Sequence, residues 1–230
     1  SLGYHGALIG ESILSNSIQE ISFIHLNLKR TIMFIKVCGM LDEKQISELS
    51  PFIDAAGFIF HAKSDRFCTK KVSSNGLIRV GVFVNNTNKE IKETIEEHNL
   101  TMIQLHGDES IEFCKAISEI PVIKAFGIDE NFNFNSIKEY ESHVDYFLFD
   151  TKTIHYGGSG KSFNWEILKN YKGETPFILS GGIKPSSIED IKHFNHPHFF
   201  GIDLNSGFEI SPGNKNTSLL KQFIYEFNNI

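Results

Sequence analysis

Phe34-Ile35-Lys36-Val37-Cys38-Gly39-Met40 decides how the rest of the chain is read. It begins with strand-forming apolar residues, carries a lysine inside, and ends on a thiol followed by glycine. A short apolar run closed by a glycine turn reads as a strand buried on both faces, as in parallel sheets. From there the pattern recurs, with apolar runs at 34–38, 56–60, 79–84, 102–105, 122–126, 146–150, 177–180 and 199–203. Most starts are separated by about one strand–helix unit. Between the runs lie polar segments with helical spacing. Ile91 and Ile95 stand four apart among charges, and Ser110 opens a similar stretch in which Cys114 faces the core. Ser186 and Ser187 offer an N-cap before Ile188, with an acidic residue three positions on. Eight strands alternating with eight helices predict an α/β protein with a (β/α)8 (TIM) barrel, an open doubly wound sheet being the alternative.

Composition narrows the function. The 230 residues are 40% hydrophobic and 22% charged, which places the chain among globular proteins. A net charge of −6 argues against nucleic acid as a main partner, since phosphate backbones need a basic face. A small phosphorylated ligand needs only a few donors and remains compatible. No apolar run approaches the ~18 residues of a membrane span, and no signal peptide is recognisable, so no membrane partner and a cytoplasmic location are expected. The cysteines, Cys38, Cys68 and Cys114, are scattered and odd in number, which suits a reducing compartment and no disulfide framework.

In a barrel of parallel strands, chemistry gathers at the C-terminal strand ends. Those ends here read Cys38-Gly39, Gln104-Leu105-His106-Gly107, Asp150-Thr151, Ser180-Gly181-Gly182 and Asp203-Leu204-Asn205-Ser206-Gly207. Each alone reads as a turn or cap; their conjunction predicts a site. Strands seven and eight are where many such barrels hold phosphate. Gly157-Gly158-Ser159-Gly160-Lys161 lacks the spacing of a nucleotide P-loop and reads as a loop over the substrate. Cys38 and Asp150 form an acid/base pair across the mouth, the thiolate favoured by cations such as Lys36 and the carboxyl acting as acid. His106 reads equally as a strand-end hydrogen-bonder or a substrate contact, and His155 as a loop residue. His193, His196 and His198 surround Pro197 in a helix-to-strand connection away from that face, which argues against a metal site.

Together these motifs resemble the phosphoribosylanthranilate isomerases of tryptophan biosynthesis. The resemblance runs from residue 34 to about 228. It includes Lys36-Val37-Cys38-Gly39, Ser64-Asp65-Arg66, Gln104-Leu105-His106-Gly107-Asp108-Glu109, Phe149-Asp150-Thr151 and Leu179-Ser180-Gly181-Gly182. Asp203-Leu204-Asn205-Ser206-Gly207-Phe208-Glu209 completes it. It implies conversion of N-(5-phosphoribosyl)anthranilate to 1-(2-carboxyphenylamino)-1-deoxyribulose 5-phosphate, the third step of tryptophan synthesis from chorismate. By position it makes Cys38 the general base and Asp150 the general acid. Arg66 becomes the holder of the anthranilate carboxylate. Gln104 and His106 become substrate contacts, and Gly181, Gly182, Asn205, Ser206 and Gly207 the phosphate site. It implies no cofactor and no metal, and a monomer or homodimer. Asp65 stands where the family usually has proline, which is expected to loosen its loop; Asn205 and Asn216 replace a usual serine and aspartate.

A histidine-pathway isomerase on the same barrel works with two aspartates, and Cys38 argues against it. A sugar-phosphate binder without turnover is disfavoured by the presence of both Cys38 and Asp150. Residues 1–32 read as an extension, and the segment from Gly6 to Leu14 resembles the tail of indole-glycerol-phosphate synthase. That likeness implies association with, or fusion to, such a barrel. The isomerase domain is expected to span 33–230.

Overall fold

The computed structural model describes residues 33–117, 119–152 and 163–229. The extension at 1–32, the glycine-rich loop at 157–161 and His155 lie outside the described residues. Eight parallel strands close into a barrel in chain order: β1 (Phe34–Val37), β2 (Ala55–Ile59), β3 (Ile78–Phe83), β4 (Met102–Leu105), β5 (Val122–Ile128), β6 (Tyr146–Thr151), β7 (Phe177–Leu179) and β8 (Phe199–Leu204). Closure is made by β1 against β8, with Phe34 opposite Gly201 and Lys36 opposite Asp203. The open-sheet alternative therefore falls, and each predicted run matches a strand to within two residues.

The outer layer departs from eight regular helices. The α-helices are α1 (Glu43–Leu49), α2 (Asn88–His98), α3 (Ile111–Ala116), α4 (Ile188–His193) and α5 (Thr217–Asn228). The segment joining β2 to β3 holds no helix, and 3₁₀ turns at Phe134–Tyr140 and Trp165–Asn170 follow β5 and β6. Between β2 and β3 the chain passes through Asn75 and Gly76, both at positive φ, and lacks an apolar stripe that a helix could bury. The helices start where short polar side chains replace missing backbone partners. Asp42 caps α1, Thr87 and Glu90 form a reciprocal capping box on α2, and Ser110 caps α3. The expected cap before Ile188 is not made by Ser187. Pro185 starts a 3₁₀ turn one step earlier, and the Ser187 hydroxyl instead accepts from the Lys184 amide.

Packing fixes the C-terminal rim of the barrel from below. Lys124, buried inside β5, donates to the Gly107 carbonyl at 2.7 Å and to Glu109 at 3.0 Å. Glu109 in turn accepts from the amides of Asn85 and Gly107. The turns after β3 and β4 are thereby locked together, and the second carries His106. A Cβ at Gly107 would lie 2.4 Å from the Asn85 side chain, so only glycine fits this interlock. Among the described residues, no helix is long and apolar enough to cross a membrane.

Candidate active site

Register decides which side chains meet. Partners on adjacent parallel strands point to the same face, and a strand alternates faces at every residue. Lys36 and Asp203 are register partners on β1 and β8, so both project into the barrel. There they form a buried ion pair, Nζ to Oδ2 at 2.8 Å. Cys38 lies two residues beyond Lys36 and shares its face. Gly57 on β2 makes room for both: a Cβ there would meet Cys38 Sγ at 2.9 Å and Lys36 Cε at 3.2 Å. The thiol of Cys38 is buried at the rim.

Asp150, buried near the end of β6, faces the same space. Its Oδ1 accepts from the Thr151 amide, and its Oδ2 lies 3.3 Å from Nε2 of His106. The other ring nitrogen of His106 pairs with the Gln104 amide nitrogen at 2.7 Å. With that nitrogen donating, Nδ1 is the acceptor, and Nε2 carries the proton that points at Asp150. Gln104 and His106 therefore orient the carboxyl. Gly181 packs against it from the turn after β7, where a Cβ would come within 2.8 Å of Asp150 Oδ1.

Arg66 reaches the rim from the loop after β2, where its Cδ would lie 2.7 Å from a Cβ at Gly39. Its guanidinium forks onto Glu209 through Nε and Nη2, the shortest contact being 2.6 Å. Nη1 lies outside this fork. Glu209 also accepts from Lys215 at 2.6 Å, and Lys215 donates to Asn205 Oδ1 at 2.7 Å. Burial alone would push the Glu209 carboxyl up, but Arg66 and Lys215 outweigh it and bring it below the usual carboxylate range. Asn205 thus anchors a buried lysine. Asn216 caps α5 by accepting from the Leu219 amide. The Asp65 loop is held by Ser64, whose hydroxyl accepts from the Arg66 amide and whose carbonyl accepts from Phe67, so its turn closes without a proline.

The turns after β7 and β8 come together. Gly181 and Gly182 have φ of +82° and +67°, and a Cβ on Gly207 would meet the Ile183 carbonyl at 2.1 Å. Glycine is required at each, in a backbone too tight or too left-handed for a side chain. Ser206 opens a short 3₁₀ turn beside them.

Burial pushes the Cys38 thiol up, and Lys36 and Lys215 only partly offset this while Asp203 adds to it. The cations near Cys38 therefore do not win outright, against the expectation of a readily formed thiolate. Burial works against the charge on Lys36, yet Asp203 and Cys38 outweigh it and hold the ammonium above its usual range. Sequence reasoning singled out neither the Lys36–Asp203 pair nor Glu209. The signals were present: a lysine inside an apolar strand, and carboxylates after β8. Only barrel closure reveals that they meet.

The family model for N-(5'-phosphoribosyl)anthranilate isomerase matches residues 35–226. The chain belongs to this family. A Parabacteroides distasonis phosphoribosylanthranilate isomerase is 48% identical over 205 residues, covering 84% of this chain and 93% of that protein. The crystal structure of the Thermotoga maritima isomerase superposes with a TM-score of 0.75 at 32% identity, covering 86% of this chain and all of the other. An isomerase solved with reduced 1-(o-carboxyphenylamino)-1-deoxyribulose 5-phosphate superposes at 0.74, with 28% identity and the same coverage. The His193–His198 region lies at the opposite end of the barrel from this isomerase rim. There His196 contacts the Tyr171 carbonyl and the His198 amide, which is a packing role.

Proposed function

We propose that Cys38 and Asp150 carry the two proton transfers of the family's reaction. Members convert N-(5-phosphoribosyl)anthranilate to 1-(2-carboxyphenylamino)-1-deoxyribulose 5-phosphate, an Amadori rearrangement in tryptophan biosynthesis. The observation that carries the residue assignment is the shared rim. Cys38 and Asp150 follow or end strands β1 and β6, are both buried, and both interact electrostatically with Asp203.

On this reading, Asp150 delivers a proton to the ribose ring oxygen. The bond from that oxygen to C1 breaks, and the anthranilate nitrogen takes up the positive charge as an iminium. The Cys38 thiolate then removes the C2 proton, leaving a neutral enolamine. Moving the C2 hydroxyl proton to C1 yields the ketone. The substrate's amine is the electron sink for the step. His106 holds the Asp150 carboxyl in place, as its 3.3 Å contact supports. Arg66 offers Nη1 to the anthranilate carboxylate while Glu209 fixes its plane. The turns at Gly181-Gly182 and Asn205-Ser206-Gly207 receive the phosphate, supported by the two adjacent positive-φ glycines that give a compact anion-facing backbone. Asp203 Oδ1, buried and without a hydrogen-bond partner, is suited to accept from a ribose hydroxyl.

The test is the fluorescence of phosphoribosylanthranilate followed with purified protein. Loss of the signal with formation of the deoxyribulose product is expected. Loss at only the uncatalysed rate would refute the activity, and full activity in Cys38→Ser would refute the residue assignment.

A further inference from the structure

One cation at this rim lies between a carboxylate and a thiol. Lys36 Nζ touches Asp203 Oδ2 at 2.8 Å, and Lys36 Cε and Cys38 Sγ converge on the space above Gly57. The charge on Lys36 favours the thiolate form of Cys38. The pair is fully enclosed: the Lys36 side chain has no exposed area, and that of Asp203 only 5%. A salt bridge this deep is costly to bury and seldom a net source of stability. Its placement beside the one rim thiol suggests a chemical role.

We propose that Lys36 and Asp203 are positioning residues that set the charge on Cys38. Lys36 supplies the cation that a Cys38 thiolate needs, and Asp203 draws that cation away so that the resting sulfur keeps its proton. The proposal rests on Cys38 being the base, but its physical content concerns the free protein. The other charged groups facing Cys38 are Lys215 from the segment between β8 and α5 and Arg66 from the loop after β2. Both are engaged by Glu209. Asp203 also faces Asp150 of β6 and His106 beyond β4. Lys36 is therefore the cation whose partner choice is open between a carboxylate and the sulfur.

The two residues must act in opposite directions, which separates this role from a structural one. Removing Asp203's charge frees Lys36 for the sulfur, so Asp203→Asn should lower the pH midpoint of thiolate formation. Removing the cation in Lys36→Met should raise it. An opposite charge at this range typically moves a midpoint by about 1–3 pH units, so a change of at least about one unit is expected each way.

The experiment is an ultraviolet thiolate titration without substrate. Each background is read as its difference from the same protein carrying Cys38→Ser, which cancels Cys68, Cys114 and the tyrosines. Thermal melting establishes that each variant is folded. A midpoint unchanged or raised in folded Asp203→Asn overturns the proposal. Lys36→Met leaves a carboxylate unpaired in the interior; should it not fold, the double variant Lys36→Met/Asp203→Asn replaces it. The double variant should titrate at a higher midpoint than Asp203→Asn alone, because the cation that Asp203→Asn frees is gone; if the two midpoints match, Lys36 is not the intermediary. The titration needs no turnover, so it stands or falls separately from the isomerase assay. If the base assignment fails while the titration holds, Cys38→Ser will retain activity although the midpoints move as described.

Discussion

At the scale of single residues, the proposed mechanism divides the rim into groups that move protons and groups that hold them ready. Cys38→Ser should lose most activity, because a hydroxyl is a far poorer base than a thiolate near neutral pH. Asp150→Asn should also lose most activity, because an amide cannot deliver the proton. Each general acid or base is typically worth ~10²–10⁴ in rate, and proton transfer belongs to the transition state, so kcat should fall with KM little changed. A variant keeping more than about a tenth of wild-type kcat would remove that residue from proton transfer. Arg66→Ala should behave differently. A charge-assisted contact is worth roughly 1.5–3 kcal/mol, or about one to two decades in affinity, so KM should rise more than kcat falls. Glu209 keeps Lys215 at 2.6 Å, so it is not left stranded and the fold should survive. Collapsed kcat at unchanged KM would contradict the binding role.

At the scale of elements, short polar caps and tight glycines do the positioning. The 12-residue helix α5 begins two residues after Lys215, which reaches back to Asn205 and Glu209. Its cap is the Asn216 side chain on the Leu219 amide. Where the family usually has aspartate, asparagine supplies an equivalent oxygen and ranks as well at this position. Asn216→Ala should cost about 1 kcal/mol and lower Tm by roughly 2–4 °C in a domain of this size. An unchanged Tm in calorimetry would show that the cap contributes nothing. The same logic explains what was legible locally. Thr87 with Glu90, and Ser110 before Ile111, are chemical start signals contained within a few residues, and both caps form. Ser187 failed as a cap because Pro185, also local, started the turn earlier. The 3₁₀ turns after β5 and β6 also start on capping side chains, Asn133 and Asn164, but such a cap does not by itself tell a 3₁₀ turn from an α-helix.

At the scale of the whole molecule, the strands from Phe34 to Leu204 and the last helix to Asn228 make a closed barrel without the first 32 residues. A chain begun at Met33 should therefore fold and isomerise. Insoluble protein or lost activity on that truncation would show that the extension supports the barrel. The sequence by itself determined the eight strands and the family. Each apolar run is bounded by its own turn residues, and motifs such as Lys36-Val37-Cys38-Gly39 are contiguous. It also named Cys38 and Asp150, which sit at strand ends that the pattern locates, and, through the family resemblance alone, Arg66 in the loop after β2. Only the tertiary structure decided what those residues touch. The pairing of Lys36 with Asp203 spans 167 residues and exists because β1 closes on β8 in one register. A slip of one residue would turn either side chain out of the barrel. The fork of Arg66 on Glu209 spans 143 residues and follows from the same closure. Local pattern fixes which residues face inward; the charge each one feels is a sum over neighbours that only the closed barrel assembles.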